Sequence, residues 1–393
     1  MRITELETIP LSCPIPDGAA WRFGGESRPP VKGVKSDTVV VKLHTDEGVV
    51  GIGEPSPYGG VANLERAIGA LEPTLVGEDP FDVARIADPG NHFGPQFGSG
   101  PGRFALAAVD MACWDAMGKA TGQPVCKLLG GQYAERVPVY ASGGDDWRYV
   151  REPERLVEEA RGYVEEGFDA FKLRIADDDR FVDAVERVHA AVGEELDLIL
   201  EGNTRFRTAT DAIRTAERLR DVDPRWFEEP IGRDDLDGYL SISDALPALP
   251  LSGGEGITSV AGFEPWLDAG AYDIVQPDAN VLGITGTKRV ADLARVAGVP
   301  CVPHNWHGAI TTAANLQVAA AIPNHEVLEY TRSWHWSAPA FQTEIVADPP
   351  VPEDGYLSVP EKPGLGIELD EDALAEYPHR EGPCQVPWED HPF

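Results

Sequence analysis

Lysine is scarce in this chain of 393 residues, whose 33 basic residues stand against 66 acidic ones and leave a formal net charge of -33 at pH 7. A charge of this size argues against nucleic acid and anionic membrane as partners, because both would repel the protein. We interpret the acid-rich, lysine-poor composition as that of a halophile protein whose self-repulsion is screened by high salt. The lysines are Lys32, Lys35, Lys42, Lys119, Lys127, Lys172, Lys288 and Lys362.

Cysteine is also scarce, since the five cysteines are odd in number and form no CxxC pair. Neither a disulfide framework nor a zinc site is predicted. No run of about 18 apolar residues is present, and the opening stretch MRITELETIPL does not resemble a secretion signal, so we expect a cytoplasmic protein without a membrane span. The fingerprint GxGxxG does not follow an early strand, which disfavours a dinucleotide-binding fold.

Strand patterns followed by helical patterns occupy residues 1–125. The stretch SDTVVVKLHTDEGVVGIGE alternates and turns at Thr45 to Gly48, which predicts a β-hairpin. The stretch RFALAAVDMACWDAMGKATG has helical spacing that ends at Gly122. Strands and helices in separate blocks predict an α+β domain.

From about residue 135, short apolar runs alternate with amphipathic helical stretches. Eight such units in series predict a parallel sheet that closes into a barrel. We therefore predict an α/β protein with a modified TIM (β/α) barrel over residues 126–345 and a separate C-terminal segment over residues 346–393. The eight runs are PVYAS, AFKLR, LDLILEGN, RWFEEP, LPLSGGE, YDIVQPD, PCVPHN and EVLEYT.

An ionisable residue ends each of the last seven runs, at intervals of 23 to 27 residues. The ends of barrel strands converge on the C-terminal mouth, where such enzymes keep their chemistry. A single carboxylate at a strand end is usually solvated or caps the next helix, but Ser, Thr or Asn would serve a cap equally well. Seven ionisable residues in register therefore favour a site. They are Arg174, Glu201, Glu228, Glu255, Asp278, His304 and Glu329.

The run AFKLRI carries two cations. On a strand, Lys172 and Arg174 project from one face, while Phe171, Leu173 and Ile175 project from the other. Both cations would then point into the same enclosed space.

Three glutamates, Glu201, Glu228 and Glu255, end three successive strands and would repel one another unless a cation lies between them. Ligation by oxygen alone favours a hard ion such as Mg²⁺, and the sequence does not distinguish Mg²⁺ from Mn²⁺. In WFEEP we choose Glu228 over Glu229 because Glu228 keeps the 27-residue spacing. Asn203, two residues after Glu201, could orient a ligand or the substrate.

The next two strands end in Asp278 and His304. A carboxylate beside an imidazole fixes its tautomer and raises its pKa, which makes a general base that works near neutrality. His307 and His325 do not keep the period, and we interpret them as structural.

The series resembles the mandelate racemase group of the enolase superfamily, in which a base and Mg²⁺ act on the carbon next to a carboxylate. The resemblance implies an N-terminal capping domain on the barrel, with a C-terminal segment that returns to the cap. It implies that the three glutamates bind Mg²⁺ and that His304 with Asp278 is the base. Lys172 would assist the substrate carboxylate and Glu329 would hydrogen-bond to it.

Two residues depart from the family pattern. Glu201 stands where aspartate is common, which affects the detail of coordination. Arg174 stands where racemases place a second lysine, and arginine is almost never neutral, so it is suited to holding a carboxylate or hydroxyl. We therefore expect a one-base dehydratase of an aldonate or aldarate. A racemase, and a non-catalytic protein that binds acid sugars, remain the alternatives.

Substrate choice is expected to rest on the capping domain, by the same resemblance, while the stretch around Trp334 either closes the mouth or packs on the cap. The polar and aromatic residues of the cap loops suit a hydroxylated chain, although loops of this composition are often ordinary surface. A small carboxylate substrate and a homo-oligomer are the expected partners. The candidate substrate-binding residues are Asn203, Trp21, Arg22, Tyr58 and Trp334.

Overall fold

The structure, a computed structural model, describes residues 1–15, 31–88, 90, 94, 97–144, 152–332 and 338–387. The predicted hairpin is present, because strands β3 (Lys35–Thr45) and β4 (Val50–Gly53) are antiparallel and Gly48 between them has a φ of 74°. Strand β1 pairs with the other edge of β3 in antiparallel register. The strands of this part are β1 Ile3–Pro14, β2 Val31–Gly33, β3 Lys35–Thr45 and β4 Val50–Gly53.

A long helix packs directly against β4. A Cβ at Gly51 would lie 1.9 Å from the carbonyl oxygen of Ala112, and one at Gly53 would lie 2.0 Å from that of Ala108, so only glycine permits this contact. The helix ends at Gly122, whose φ of 67° is a left-handed cap, as the sequence predicts. The helices here are α1 Val61–Leu75, α2 Val83–Ile86 and α3 Gly100–Thr121.

The barrel strands follow in chain order and pair in parallel with their neighbours. Arg174 lies opposite Glu201, and Glu201 lies opposite Glu228, so the 27-residue spacing of the sequence is the register of the sheet. The strands are β5 Arg136–Ser142, β6 Ala170–Arg174, β7 Asp197–Glu201, β8 Phe227–Glu228, β9 Leu251–Gly253, β10 Ile274–Val275 and β11 Leu328–Thr331.

Helices connect these strands on the outside of the barrel. Helix α10 is interrupted at Gly283, whose φ of 69° is not helical. The helices are α4 Val125–Leu128, α5 Glu154–Glu165, α6 Asp179–Val192, α7 Ala209–Arg218, α8 Leu236–Ala245, α9 Glu264–Ala269, α10 Ala279–Ala297 and α11 Ala309–Ala320.

The predicted seventh barrel strand, PCVPHN, is reduced to an isolated bridge at Cys301, which pairs with Val275 on one side and His325 on the other. Pro300 and Pro303 flank Val302 and Cys301 and cannot donate ladder hydrogen bonds, which explains the shortening. The backbone still follows β10, since the amide of Val302 donates to Val275 at 3.0 Å. Strand β11 pairs with β5, so the sheet curls round into the barrel-like arrangement that the sequence predicts.

An apolar layer fills the barrel below its C-terminal end. Its members include residues two positions before the ionisable strand ends, and alternation along each strand places both sets on the inner face. The layer consists of Tyr140, Ala170, Ile199, Trp226, Ile274, Val302 and Val327.

The C-terminal part of the chain packs on both earlier regions. The amide of Leu365 donates to the buried carboxylate of Asp115 on α3 at 2.8 Å. Strand β12 pairs with β5, and β13 pairs with β2. Within the described residues, no helix combines the length and hydropathy that crossing a membrane requires. The elements are α12 Pro339–Thr343, β12 Tyr356–Ser358, α13 Glu371–Glu376 and β13 Gln385–Pro387.

Candidate active site

Lys172 lies at the centre of a carboxylate cluster at the C-terminal end of the barrel. Its ammonium is 2.5 Å from Glu228, 2.8 Å from Glu329 and 3.3 Å from Glu201, and all four side chains are at most 2% exposed. Burial alone would lower the pKa of Lys172, but the three carboxylates raise it well above its usual value. A buried lysine among carboxylates is held in its charged form. The cluster therefore contains one fixed positive charge and three acidic groups.

The pKa of Glu228 is raised by its surroundings in this cluster. Burial raises its pKa to about 8, Glu201 and Glu329 add to the rise, and Lys172 opposes it. Its second carboxylate oxygen accepts hydrogen bonds from Gln276 at 2.6 Å and from Trp226 at 3.2 Å. By contrast, burial would also raise the pKa of Glu329, but Lys172 and His304 hold it at about 2.

His304 and Asp278 form the second half of the cluster. The Nδ1 of His304 lies 2.5 Å from Oδ2 of Asp278, and its Nε2 lies 2.9 Å from Glu255 and 3.8 Å from Glu329. Burial alone would lower the pKa of His304, but Glu255 and Glu329 raise it well above its usual value, with Asp278 adding to the rise. The imidazole thus has one nitrogen fixed by Asp278 and the other directed at the carboxylates.

Asp278 also approaches a second imidazole. The Nε2 of His307 lies 3.5 Å from the same Oδ2, and His307 is 1% exposed. Burial would raise the pKa of Asp278, but the two histidines lower it to about 2. Asp278 also caps α10, since its Oδ1 accepts from the amide of Asn280 at 3.0 Å. Its carboxylate is therefore charged and fixed in orientation.

Glu255 is held by Arg233, which follows strand β8 and which the sequence analysis did not single out. Arg233 donates to Glu255 and binds Glu229 through both oxygens at 2.7 and 2.8 Å. Glu229 lies away from Lys172, which separates the two glutamates of WFEEP as the spacing suggests. Burial alone would raise the pKa of Glu255, but His304 and Arg233 lower it well below its usual value.

Arg174 lies beside the Lys172 cluster and is 9% exposed. Its guanidinium donates to the carbonyl of Gly143 at 2.7 Å and lies 4.1 Å from the ring centroid of Trp306. Arginine stacks on aromatic faces and keeps its charge. The group is therefore a fixed cation at the rim of the cluster.

Two sets of side chains have donors suited to a metal ion. The ligand atoms of Asp278, His304 and His307 all lie within 4.8 Å of one another. The other set consists of the carboxylates of Glu201, Glu228 and Glu255, whose all-oxygen chemistry suits a hard divalent ion. The contacts of Lys172 fit such an ion, because its one positive charge lies among three carboxylates, those of Glu201, Glu228 and Glu329.

Of the five predicted substrate-binding residues, two lie within the described part of the chain. Tyr58 lies at the mouth, with its ring centroid 6.2 Å from that of His307 and about half of the residue exposed. Asn203 does not extend strand β7, because its φ of 44° turns the chain. Its backbone amide donates to the carboxylate of Glu201 at 2.6 Å. The other three predicted substrate-binding residues, Trp21, Arg22 and Trp334, lie outside the described residues.

Several site residues were missed by the sequence analysis. Gln276 precedes Asp278 by two positions in the predicted strand YDIVQPD, so alternation along that run could have found it. Trp226 likewise precedes Glu228 by two positions. Arg233 lies in a loop, and no pattern in the sequence connects it to Glu255.

Comparison with known proteins places this geometry in a family. A family model described as "Enolase C-terminal domain-like" matches residues 155–373. The model for "Mandelate racemase / muconate lactonizing enzyme, N-terminal domain" matches residues 31–130. The chain belongs to the enolase superfamily. Within it, the two matches place the protein in the mandelate racemase and muconate lactonizing enzyme family, as the resemblance predicts.

Curated relatives in this superfamily cover most of the chain. The D-xylonate dehydratase of Haloferax volcanii is 33% identical over 361 residues, which span 86% of this chain and 84% of that protein. The D-gluconate dehydratase of Thermoproteus tenax is 30% identical over 371 residues, or 91% of this chain and 72% of that protein. The D-galactarolactone cycloisomerase of Agrobacterium fabrum is 33% identical over 356 residues, or 86% and 90%.

Solved structures of the superfamily share the fold. A crystal structure described as a putative mandelate racemase from Bordetella bronchiseptica superposes with a TM-score of 0.88 at 29% identity, covering 96% of this chain and 95% of that chain. The 3,6-anhydro-D-galactonate cycloisomerase from Zobellia galactanivorans gives a TM-score of 0.83 at 28% identity, covering 97% and 100%.

Proposed function

We propose that this enolase-superfamily protein is a dehydratase of an aldonate or aldarate, a hydro-lyase that forms a 2-keto-3-deoxy acid. The observation that carries the proposal is the pairing of His304 with Asp278 beside the Lys172 carboxylate cluster. The dehydratase names of relatives at 30 to 33% identity support the same reaction class. Binding alone would not require a buried carboxylate and imidazole pair, which argues against a non-catalytic sugar-acid binding protein.

In the proposed reaction, Nε2 of His304 accepts the proton on the carbon next to the substrate carboxylate. Asp278 accepts a hydrogen bond from Nδ1 and so keeps Nε2 as the proton acceptor. Negative charge then develops on the substrate carboxylate, and the ammonium of Lys172 stabilises it where it arises. Glu329 would hydrogen-bond to the substrate at this point.

The second half of the reaction breaks the bond between carbon 3 and its hydroxyl. The imidazolium of His304 returns the proton to the departing hydroxyl, which leaves as water, and the remaining enol becomes the keto acid. Atoms balance without an oxidant or a second substrate. One base is sufficient for this sequence.

We propose Mg²⁺ as the cofactor, with Glu201, Glu228 and Glu255 as its ligands and Mn²⁺ as a possible substitute. When bound, the ion would supply Lewis-acid stabilisation of the substrate carboxylate. We favour these glutamates over the Asp278, His304 and His307 set because both ring nitrogens of His304 already contact carboxylates. Asn203 and Tyr58, together with Trp21, Arg22 and Trp334 outside the described residues, are proposed to contact the substrate.

We also propose that the protein works in a cytoplasm of high salt as a homo-oligomer. The formal net charge of -33 supports the high-salt environment, because salt screens the self-repulsion that such a charge produces.

A turnover screen tests the proposed reaction. The purified protein would be incubated in high salt with Mg²⁺ and a panel of aldonates and aldarates, and 2-keto-3-deoxy acids would be detected. We expect one or a few stereoisomers to be dehydrated, and His304→Asn to abolish turnover while Mg²⁺ binding persists. Retained turnover in that variant would contradict the role given to His304.

A racemase is the second candidate, because Lys172 could act on the face opposite His304. Arg174 argues against it, since a guanidinium does not readily act as the opposing base. Incubation in D₂O separates the two reactions. Deuterium incorporation with inversion and without keto acid would favour the racemase.

A further inference from the structure

Helix α11, which begins five residues after His304, has polar side chains in the interior of the protein. Each of these four is at most 2% exposed. A buried polar group costs free energy unless it is hydrogen-bonded, so the partners of these groups show what the helix holds in place. The residues are Thr311, Thr312, Asn315 and Gln317.

Asn315 connects the two chain segments that carry the Asp278 and His304 pair. Its Oδ1 accepts from the amide of Ala279, the residue after Asp278, at 3.2 Å. Its Nδ2 donates to the carbonyl of His304 itself at 3.0 Å. One buried side-chain amide therefore bridges two neighbouring backbone segments, which are also joined by the backbone amide of His304 donating to the carbonyl of Pro277 at 3.1 Å.

Thr312 connects the same helix to the next part of the site. The amide of Asn305 donates to Glu329 at 2.9 Å, and Nδ2 of Asn305 donates to the carbonyl of Glu329 at 2.9 Å. That Nδ2 also lies 3.1 Å from the hydroxyl of Thr312. Helix α11 thus contacts the segments of Asp278 and Glu329, which are two of the three acidic residues around the imidazole of His304.

The N-terminus of α11 is anchored by a residue of the N-terminal region. Glu54, which follows β4 and is 2% exposed, accepts from the amide of Thr311 at 3.1 Å and from its hydroxyl at 2.8 Å. A carboxylate at a helix N-terminus satisfies a free amide and complements the helix dipole. Thr38 on β3 donates to the same carboxylate at 2.9 Å, which fixes Glu54.

We propose that Asn315 is a positioning residue for the proton-transferring pair, and that Glu54 couples its helix to the N-terminal sheet. The inference rests on the proposed function, because it takes His304 and Asp278 as that pair. It gives the N-terminal region a second task besides substrate choice. That region sets the alignment of the base through α11.

The chain offers a matched control two residues further along the helix. Gln317 is equally buried, and its side chain also joins two backbone groups, the amide of Cys126 at 2.8 Å and the carbonyl of Leu365 at 3.4 Å. Neither group belongs to the site. Asn315→Leu and Gln317→Leu therefore remove the same kind of interaction, and only the first touches the pair.

The experiment compares these two variants by turnover, by KM and by the downfield NMR proton signal of the His304 and Asp278 hydrogen bond. That signal is assigned by its loss in His304→Asn and needs neither metal nor substrate. We expect Asn315→Leu to shift or abolish the signal and to lower kcat about 100-fold with KM changed less than about 3-fold. Gln317→Leu should keep the signal and a kcat within about 3-fold of wild type.

Equal losses of kcat in the two variants, or an unchanged proton signal in Asn315→Leu, would overturn the proposal. If Asn315→Leu does not fold, Asn315→Asp serves instead, because aspartate can still accept from Ala279 but cannot donate to His304. The NMR signal also separates this inference from the proposed function. A wild-type protein that turns over no sugar acid overturns the function, whereas the response of the signal to Asn315 still decides the inference.

Glu54 provides an independent arm of the same test. Glu54→Ala removes the anchor of α11, and we expect the same proton signal to broaden or shift. Thr38→Val removes one hydrogen bond that fixes Glu54 but leaves both contacts of Glu54 with Thr311, so we expect a smaller change in the signal than in Glu54→Ala. The proposed coupling is wrong if both variants behave alike.

Discussion

His304 and His325 lie at opposite ends of the barrel and experience opposite electrostatics. His304 faces carboxylates at the C-terminal end, which raise its pKa well above the usual value. His325 pairs with Cys301 near the N-terminal end, and desolvation there lowers its pKa to about 4. Burial penalises the charged form in both places, so the difference comes from neighbouring charge. The same residue type therefore has a raised pKa at one end of the barrel and a lowered pKa at the other.

The apolar layer between the two ends explains how they stay distinct. Tyr140 and Trp226, which pack edge to face with centroids 5.4 Å apart, are both fully buried below the carboxylate cluster. A layer of this kind keeps water out of the barrel interior and confines ionisable groups to the end where partners exist. The C-terminal end is therefore free to concentrate charge without exposing the packed core to it.

Replacing His304 should have the largest effect on activity of any change at either end. His304→Asn removes the proposed proton acceptor, and loss of a general base costs about 10²- to 10⁴-fold in rate. The matched change at the other end, His325→Asn, should leave kcat within about 2-fold of wild type. Steady-state turnover of both variants on the same sugar acid makes the comparison, and similar losses would remove its basis.

Replacing Lys172 should have the largest effect on stability. Lys172→Met leaves three buried carboxylates without their shared ammonium, and breaking a buried ion pair costs about 3–5 kcal/mol. Urea unfolding in the presence of EDTA measures this loss. Addition of Mg²⁺ should restore part of it if the glutamates bind the ion. No recovery with Mg²⁺ would argue against the proposed ligands.

His325, at the N-terminal end of the barrel, should make the stability of the protein depend on pH. The pKa of His325 is about 4 in the folded protein and about 6.5 when unfolded, so the unfolded state binds more protons between these values. Stability is fully present above pH 6.5 and is lost as the pH falls towards 4. Because His325 is only partly buried, we expect a loss of no more than about 2 kcal/mol.

Urea midpoints between pH 4 and pH 7 measure that loss directly. His325→Gln cannot take up a proton and should flatten the pH dependence by the same amount. If the variant and the wild type lose stability in parallel, groups other than His325 cause the acid sensitivity.

The smallest effect is expected for a conservative change at the rim. Arg174→Lys removes the stacking on Trp306 and the planar set of hydrogen-bond donors that a guanidinium offers. We expect KM to rise about 10-fold with kcat changed less than about 3-fold, measured in initial-rate assays. A larger fall in kcat than rise in KM would instead give Arg174 a direct part in the chemistry.

Much of the fold could be predicted because the repeat in the sequence is the register of the sheet. Arg174, Glu201 and Glu228 are 27 residues apart and lie side by side on neighbouring strands. The length of the seventh strand was overestimated, since the prolines around Cys301 leave only an isolated bridge. The domain boundaries near residues 125 and 345 stay predictions.

The site was predictable where its residues belong to the repeating series at the ends of the barrel strands, and unpredictable elsewhere. Alternation fixes the faces of Lys172 and Arg174, because a strand has a period of two. No such rule connects Arg233 to Glu255, or Glu54 to Thr311 at a separation of 257 residues. Asn203 failed as a strand residue because the chain turns at its positive φ. The metal and the roles of the individual residues stay proposals.

The pairing of β13 with β2 has a consequence for how the protein is made. Strand β2 is synthesised near the start of the chain, yet its partner spans Gln385–Pro387. Lys35 and Val34 likewise bind the carbonyls of Arg380 and Cys384. On the ribosome, the barrel strands between residues 136 and 331 all emerge while these groups still lack their partners. Strands β2 and β13 therefore pair only after the barrel strands have been synthesised, although β2 precedes them in the chain.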